Sequence, residues 1–328
     1  SPSTSVQCGS GSPRHSAMTP AAMTPTAIVT LQQHLQSALK PPPTEARRLF
    51  HGRGKCWAEL EQITVDWLED ILLVTLFREP PAAELELLIS MLRSLNYPVL
   101  LQYRYQQDCP AHWLSGEAHR HWQVSENGLR YQLDLGNRQN SGLFLDMRNG
   151  RQWVQQHATG KSVLNLFAYT CGFSVAAIAG GARQVVNLDM ASAALSRGRD
   201  NHRLNGHDLS RVRFLAHDLF KSWGKVGRLG PYDLIIIDPP TFQKGSFVLT
   251  TDYRKILRRL PSLLTDGGQV LACCNDPEID ASFLLEEMAQ EAPELRFVER
   301  LRNPEEFSEA TAGGGLKALV FALPPGAE

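Results

Sequence analysis

Three aspartates, Asp189, Asp218 and Asp238, each follow closely on a short apolar segment of the sequence. Such segments are typical of strands buried in a parallel sheet, and ligands of open α/β sheets bind outside the carboxyl ends of the strands. A carboxylate there can accept hydrogen bonds from the hydroxyls of a ribose, which suits Asp189, or from the amine of an adenine, which suits Asp218. The spacing therefore predicts a nucleoside site, although either aspartate could instead only cap a helix.

The segment 168–172 follows the first apolar run, Ser162–Leu166, and contains one glycine, Gly172. A dinucleotide site needs three spaced glycines, because its pyrophosphate approaches the backbone at a helix N-terminus. Neither this pattern nor a phosphate-binding loop with its lysine is present, which disfavours a dehydrogenase. The cofactor is therefore predicted to lack phosphates, and S-adenosyl-L-methionine meets this requirement. The alternative is a plain turn in a domain without a cofactor.

The most specific motif runs from Asp238 through Pro239 and Pro240 to Phe242. Two prolines cannot lie inside a central strand, so the strand before them must end at this point. Proline has no N–H and a fixed φ, so the loop is stiff and its carbonyls can serve as acceptors. Phe242 can stack on an unpaired base. The motif predicts a catalytic loop, and the alternative is a rigid connection without a ligand.

Strand and helix patterns alternate from residue 141 onwards, which predicts a doubly wound α/β domain. The last two strand patterns have no helix between them and are expected to pair antiparallel, as in class I methyltransferases. The predicted strands are Ser162–Leu166, Gln184–Leu188, Val212–Leu215, Leu234–Ile237, Gln269–Cys274, Phe297–Leu301 and Leu316–Ala322. The predicted helices lie near Phe173–Ala179, Ser192–Leu204, Leu219–Val226, Tyr253–Leu264 and Ile279–Ala289.

The residues before 141 divide into three predicted parts. Residues 1–25 are rich in Ser, Pro, Thr and Ala and are expected to be disordered. Residues 26–48 contain a helix and a proline-rich linker. Residues 49–140 form a small α+β domain that ends in a hairpin at Asn127-Gly128, a strong turn signal. Residues 141–328 are then the cofactor-binding domain.

Composition limits the partners and the location of the protein. A net charge of −1 over 328 residues provides no global attraction to nucleic acid or membranes. The basic group Arg254, Lys255, Arg258 and Arg259 could be a phosphate-contacting rim or a solvated helix face.

Six cysteines without a CxxC pair or a Cys/His cluster indicate free thiols and no metal site. No apolar run reaches a membrane span, and a cytoplasmic location is expected.

Several motifs together resemble a bacterial family of 23S rRNA base methyltransferases, which includes cytosine-C5 enzymes and their guanine-N7 relatives. The resemblance covers roughly residues 49–323. The family's RNA-binding PUA domain is expected to have no counterpart, because few residues precede Leu49. The matching motifs are SGLFLDMR at 141–148, NLFAYTC at 165–171, DM at 189–190, NHRLNG at 201–206, HDLF at 217–220, DPPTF at 238–242 and GG at 267–268.

The resemblance implies a role for particular residues. Asp189, with its neighbour Met190, matches the ribose-binding acid, and Asp218, with His217, matches the adenine-side acid. Asp238 matches the first position of the catalytic Asp-Pro-Pro motif. The loop around the amino acid part of the cofactor is matched by Asn165, Phe167 and Tyr169. A segment that closes over the cofactor is matched by Phe144, Asp146 and Arg148.

The sequence departs from the family pattern at two positions. Cys171 stands where the family usually has glycine. Asn275 stands where the cytosine-C5 enzymes have a cysteine, and Cys273 and Cys274 come just before it. Carbon 5 of cytosine needs a thiolate at carbon 6 before it can be methylated, whereas a ring nitrogen needs only positioning. The asparagine therefore favours methylation of a nitrogen.

The sequence predicts a methyltransferase that uses S-adenosyl-L-methionine and acts on an RNA base, with 23S rRNA as the expected partner. One alternative keeps the fold and changes the substrate to a small molecule or a protein. Another is a non-catalytic RNA-binding factor of ribosome assembly. The target nucleotide, the methylated atom and the oligomeric state do not follow from the sequence.

Overall fold

The structure is a computed structural model that describes residues 23–136 and 140–326 of the chain. The chain divides into two compact units. The first runs through Gly128 and also contains Gln132–Leu145 and Pro304–Gly314. The second contains Leu129–Tyr131, Asp146–Asn303 and the residues from Gly315 onwards.

These units differ from the predicted boundaries at 49–140 and 141–328. The segment Pro304–Gly314 joins the first unit because Ala310 N–H donates to the carbonyl of Gly54 at 2.8 Å and Glu309 accepts from His51 at 2.9 Å. These contacts join residues that lie about 250 positions apart. Such contacts leave no local pattern in the sequence from which they could be predicted. Residues 1–22 of the predicted disordered tail lie outside the described residues.

The first unit is built on a five-stranded sheet of order β1-β2-β3-β4-β5, in which only β3 and β4 run parallel. A separate hairpin, β6 and β7, turns at Asn127-Gly128 as predicted, and the first three residues of β7, Leu129–Tyr131, are counted in the second unit. The elements are α1 (Pro25–Ala38), β1 (Arg47–His51), β2 (Ile63–Trp67), β3 (Leu72–Leu76), α2 (Ala82–Arg93), β4 (Val99–Tyr103), β5 (Ala111–Ser115), β6 (His121–Glu126) and β7 (Leu129–Asp134).

Helix α1 begins at Pro25, because the residues at its start satisfy the first turn of the helix. The Thr24 side chain accepts from Ala27 N–H and Pro25 occupies the first turn, where a missing N–H is harmless. Ile28, Leu31 and Leu35 then recur on one face and pack in the same core as the sheet. The predicted helix at 26–48 therefore belongs to the small domain.

The second unit contains the remaining elements. They are α3 (Arg148–His157), β8 (Ser162–Leu166), α4 (Gly172–Ala179), β9 (Gln184–Asp189), α5 (Ser192–Leu204), β10 (Val212–Ala216), α6 (Trp223–Leu229), β11 (Tyr232–Ile237), β12 (Phe242–Gln243), β13 (Phe247–Val248), α7 (Leu249–Leu263), β14 (Leu264–Cys274), α8 (Ala281–Glu291), β15 (Arg296–Arg300) and β16 (Lys317–Ala322).

Its main sheet has the order β10-β9-β8-β11-β14-β16-β15. The first five strands are parallel and β16 is antiparallel to both neighbours. The predicted doubly wound class I methyltransferase sheet with an antiparallel last strand is confirmed. The strand order reverses at β8, and the carboxyl ends of β8, β9 and β11 therefore flank the place where such sheets bind ligands.

Both faces of this sheet are covered, which explains the continuous apolar runs in the sequence. Along β14, Cys274 packs on the face with α7 and α8, and Cys273 packs on the opposite face with α3 and α4. Both thiols are buried. Strand alternation thus places the two adjacent cysteines in different cores.

Three sequence expectations differ from the structure. Strands β1 and β5 were not predicted, because neither shows an apolar alternation. The helix expected at 219–226 is split into a short turn at Leu219–Lys221 and α6. Cys109 is disulfide-bonded, so the expectation of six free thiols is wrong at that residue.

Gly198 of α5 packs directly against Cys171, the residue before α4. A Cβ atom at Gly198 would lie 2.3 Å from Cys171 Sγ, closer than any real contact. Cys171 itself has a φ of +66°, a conformation that glycine adopts without strain. Cys171 stands where the resembled family usually has glycine, and Gly198 on the neighbouring helix leaves the space that the Cys171 side chain fills.

We expect Gly198→Ala to lower the free energy of unfolding by about 1–3 kcal/mol, because the added methyl overpacks the core. In the double variant Cys171→Gly/Gly198→Ala most of this loss should be recovered, since the sulfur is gone. Urea denaturation of the four proteins of the cycle measures the coupling. Strictly additive effects would contradict the packing described.

Candidate cofactor and substrate site

The carboxylate of Asp189 is held at the carboxyl end of β9 by two backbone donors. Oδ2 accepts from Tyr169 N–H at 2.9 Å, and Oδ1 accepts from Ala191 N–H at 2.8 Å. The first donor comes from the loop after β8 and the second from the start of α5. Each carboxylate oxygen has a second lone pair, so the fixed group can still accept bonds from two hydroxyls.

The loop after β8 has an unusual backbone. Phe167, Tyr169 and Cys171 have φ values of +56°, +52° and +66°, in a region that costs non-glycine residues about 1 kcal/mol or more each. Hydrogen bonds hold the loop in this shape, among them Ala168 N–H to the carbonyl of Leu188 at 3.0 Å. Alternate left-handed residues turn the loop sharply beside the Asp189 carboxylate.

An open cleft of about 300 Å³ lies at this edge of the sheet. Five of the predicted cofactor residues line it together: Phe167, Asp189, Met190, His217 and Asp218. The other lining residues are Leu188, Leu219, Phe220, Gln243, Ser246 and Phe247.

Asp218 has the capping role that its sequence position also allowed. Its Oδ1 accepts from Phe220 N–H at 3.0 Å and so caps the short turn Leu219–Lys221. The same residue lines the cleft, so capping fixes the carboxylate there. The capping role is therefore compatible with a position in the cleft.

Aromatic rings form one side of the cleft. The ring of Phe167 meets that of Phe247 at 5.0 Å between centroids with an angle of 62°, and the Phe220 ring lies parallel to Phe247 at 6.3 Å. An apolar wall beside two fixed carboxylates suits a planar base joined to a sugar. Sequence reasoning did not assign Phe220 and Phe247 to the site, because the rings converge only in the fold.

Asp238 ends β11, and Asn275 follows β14, its neighbour in the sheet. Burial raises the pKa of the Asp238 carboxyl to about 6, and the positive charge of Arg151 opposes this rise. A carboxylate with this pKa is largely ionised at neutral pH and accepts protons more readily than an exposed one. Asp238 can therefore accept a hydrogen bond or a proton from a substrate.

The Asp-Pro-Pro loop continues into a small hairpin, β12 and β13. Pro239 is buried, Pro240 is half-buried, and Phe242 is 51% exposed. Gln243, Ser246 and Phe247 of the hairpin line the cleft, and Ser246 Oγ lies 2.9 Å from Gln243 Oε1. Gly245 lies in the turn of this hairpin and has a φ of +75°. The glycine at this position is the sequence signal that could have predicted the hairpin.

Asn275 donates from Nδ2 to Asp146 Oδ2 at 3.3 Å. Asp146 is buried and precedes α3, so this bond ties the segment before α3 to the end of β14. Neighbouring Cys273 and Cys274 are buried, and burial raises the pKa of both thiols. A protonated thiol is a weak nucleophile, and both cysteines fit a structural role.

Asn165 does not line the cleft. It is buried on β8, where Nδ2 donates to Asn187 Oδ1 at 2.9 Å. Asn187 in turn donates to Ser174 Oγ, which lies 2.8 Å from His202 Nε2. The chain of polar groups connects β8 and β9 to α4 and α5, and it supports the loop from within the core.

Other predicted residues have different surroundings. Phe144 belongs to the first unit, and Arg148 is half-buried at the start of α3. On α7, Arg258 pairs with Glu291 at 2.7 Å and Lys255 with Asp252 at 2.8 Å. Both pairs are on the surface, which favours a solvated helix face over a phosphate rim.

Among residues 23–136 and 140–326, no helix is long and apolar enough to cross a membrane. In the same part of the chain, no cluster of three or more His, Cys, Asp or Glu side chains could hold a metal ion.

Two curated ribosomal RNA methyltransferases are similar in sequence to this chain. Ribosomal RNA large subunit methyltransferase I of Aeromonas salmonicida is 33% identical over 247 residues, which cover 70% of this chain and 62% of that protein. The enzyme of the same name from Aeromonas hydrophila is 39% identical over 153 residues, or 45% of this chain and 38% of that protein. The chain thus spans less than two thirds of the length of these relatives.

Solved structures share the fold. A candidate S-adenosylmethionine-dependent methyltransferase from Streptococcus mutans superposes with a TM-score of 0.82 at 24% identity, over 93% of this chain and 83% of that one. The family model of S-adenosylmethionine-dependent methyltransferases matches residues 47–322. The match covers most of both units, and the chain belongs to the S-adenosylmethionine-dependent methyltransferase family.

Proposed function

We propose that this protein transfers a methyl group from S-adenosylmethionine to a nitrogen of an RNA base, with large-subunit ribosomal RNA as the substrate. The observation that carries the proposal is the hairpin after Asp238, which lines the cofactor cleft with Gln243 and Ser246 and also bears the exposed Phe242. Relatives named as ribosomal RNA methyltransferases support the choice of RNA.

The described residues fit the cofactor. Asp189 would accept from the ribose hydroxyls, Asp218 would accept from the adenine amine, and the rings of Phe167 and Phe247 would contact the base. When bound, the cofactor supplies an electrophilic methyl group at its sulfonium. Asp189 and the loop after β8 would orient this group toward the end of β11.

The substrate side requires no covalent step. Phe242 would stack on the unpaired base, and Asp238 would accept a hydrogen bond from a ring or exocyclic N–H of that base and hold it in line with the methyl group. Cytosine C5 chemistry would need a thiolate, and Cys273 and Cys274 are buried in two different cores. The site therefore favours nitrogen as the acceptor, and a cytoplasmic location, where ribosomes are assembled, is part of the proposal.

The test is transfer of radiolabelled methyl groups from S-adenosylmethionine to ribosomal RNA purified from a strain that lacks this gene. Wild-type protein should label this RNA and leave RNA from the parent strain unlabelled, because the site there is already methylated. Cys274→Ala should transfer at a similar rate, since no thiol takes part.

Labelling of protein or of a small molecule in place of RNA would overturn the proposed substrate. Loss of turnover in a folded Cys274→Ala variant would overturn the nitrogen assignment and favour a nucleophilic thiol.

For the cofactor site, we expect Asp189→Ala to weaken binding of S-adenosylhomocysteine by a factor of about 100, because two hydrogen bonds to a charged group are lost. Isothermal titration calorimetry measures this change. The matched control is Asp200→Ala on α5, which removes an exposed carboxylate paired with Arg203 and should bind like the wild type. Equal affinity of the two variants would contradict the assigned role of Asp189.

For Asp238, we expect the methylation rate to fall as the pH drops through about 6, because the carboxylate must be ionised to accept a proton.

The raised pKa also means that ionised Asp238 destabilises the folded state at neutral pH. Asp238→Asn should therefore be inactive yet more stable by roughly 1–3 kcal/mol at pH 7.5, and this gain should vanish toward pH 4. Thermal unfolding at both pH values decides this, and a gain that is independent of pH would contradict the burial of the charge.

A further inference from the structure

The first unit gathers arginines at one edge of its sheet. Strand β1 is antiparallel to β2, β2 is antiparallel to β3, and β3 is parallel to β4. Strands β1, β3 and β4 therefore point the same way, and their carboxyl ends meet at one edge. The residues that follow these three ends include Arg53, Arg78 and Arg104.

Two of these arginines share one aromatic ring. The guanidinium carbon of Arg53 lies 4.4 Å from the centroid of the Phe77 ring, and that of Arg104 lies 5.6 Å from the same centroid. Phe77 is fixed because its N–H donates to the carbonyl of Gln62 at 2.8 Å, and Arg104 N–H donates to the carbonyl of Leu76. Stacking on the ring orients the guanidinium planes.

Two carboxylates of this unit, Asp66 and Glu309, form hydrogen bonds with other residues. Asp66 forms an ion pair with Arg48 at 2.8 Å. Glu309 lies 2.9 Å from His51 Nε2, and burial, aided by the charge of Arg48, lowers the pKa of His51 to about 2. The imidazole is therefore neutral and donates to Glu309, while Arg48 donates to its other nitrogen.

Arg53 thus has only a neutral acceptor at its terminal nitrogen, Gln62 Oε1 at 2.9 Å. Its Nε is buried and has no hydrogen-bond partner among the described residues, and the same holds for Nε of Arg78. Burial, together with the charge of Arg48, lowers the pKa of Arg53 to about 10, and the charge of Glu309 opposes this fall. It remains protonated at neutral pH, and a buried cationic donor without an acceptor is costly.

We propose that this arginine edge, defined by Arg53, Arg78 and Arg104 around Phe77, binds neighbouring backbone phosphates of the RNA substrate. A phosphate supplies several acceptor oxygens in the fork geometry that guanidinium groups match. The inference rests on the proposed RNA substrate and adds a contact that positions RNA without reading its sequence. The near-zero net charge of the chain makes a local cationic edge necessary, because no global field attracts RNA.

The test compares RNA binding by wild type and by Arg53→Gln/Arg78→Gln, using fluorescence anisotropy of an in vitro transcribed fragment of large-subunit ribosomal RNA. We expect binding about tenfold weaker at about 0.1 M salt, and a slope of log K against log salt reduced by about 1.4. The matched control is Arg93→Gln/Arg120→Gln, which removes the same charge from exposed positions of the first unit and should bind nearly as the wild type does.

Circular dichroism confirms that each variant is folded. If the double variant unfolds, Arg78→Gln alone decides the question, with an expected fall of about 0.7 in the slope. Arg53→Lys/Arg78→Lys, which keeps the charge and loses the fork, should keep the salt slope and lose part of the affinity.

Equal affinity and equal slope in wild type and the Gln variant would overturn the arginine edge and leave the proposed function intact. Absence of RNA binding by wild type that still binds S-adenosylhomocysteine would overturn both. Strong competition by inorganic phosphate at matched ionic strength would assign the edge to free phosphate and overturn its role in RNA binding.

Discussion

The carboxylate of Asp189, with its two backbone donors, is the interaction on which the rest of the site depends. It joins the loop after β8 to the start of α5 through Tyr169 N–H and Ala191 N–H. A loop with three left-handed non-glycine residues persists only when its surroundings determine its shape. The same carboxylate that fixes the loop also lines the cleft, so the geometry of the loop and the position of the proposed ribose acceptor are set together.

Support for this arrangement comes from the core beneath it. Asn165 and Asn187 lie on adjacent strands and are linked to each other, to Ser174 of α4 and through it to His202 of α5. The network joins two strands and two helices, although the buried Asn165 Oδ1 has no hydrogen-bond partner among the described residues. Asn165 thus has a structural role beneath the loop, without contact to the cleft.

The sequence predicted the elements that rest on local patterns. Strand β8 and helix α5 have the predicted bounds, because apolar runs and helical spacing are properties of neighbouring residues. Strand β1 was not predicted, because its buried Arg48 pairs with Asp66, eighteen positions further on. Phe247 and the segment Pro304–Gly314 were missed for the same reason, since their partners are distant in the sequence. Of the five cofactor residues that cluster at the cleft, Asp189 and Asp218 were predicted because each stands at a strand end, and parallel strand ends meet. Phe167, Met190 and His217 were implied by the family resemblance.

The chemistry depends on what stands at the ends of β11 and β14. A half-buried carboxylate, an exposed aromatic ring and an amide are suited to orient a base nitrogen, and both nearby thiols face apolar cores. The most direct measurement is a mass-spectrometric comparison of nucleosides in 23S rRNA from wild-type cells and from cells that lack the gene. The account predicts that one base-nitrogen-methylated nucleoside is lost and is restored by the wild-type gene but not by Asp238→Ala. Loss of 5-methylcytidine instead, or an unchanged nucleoside profile, would contradict it.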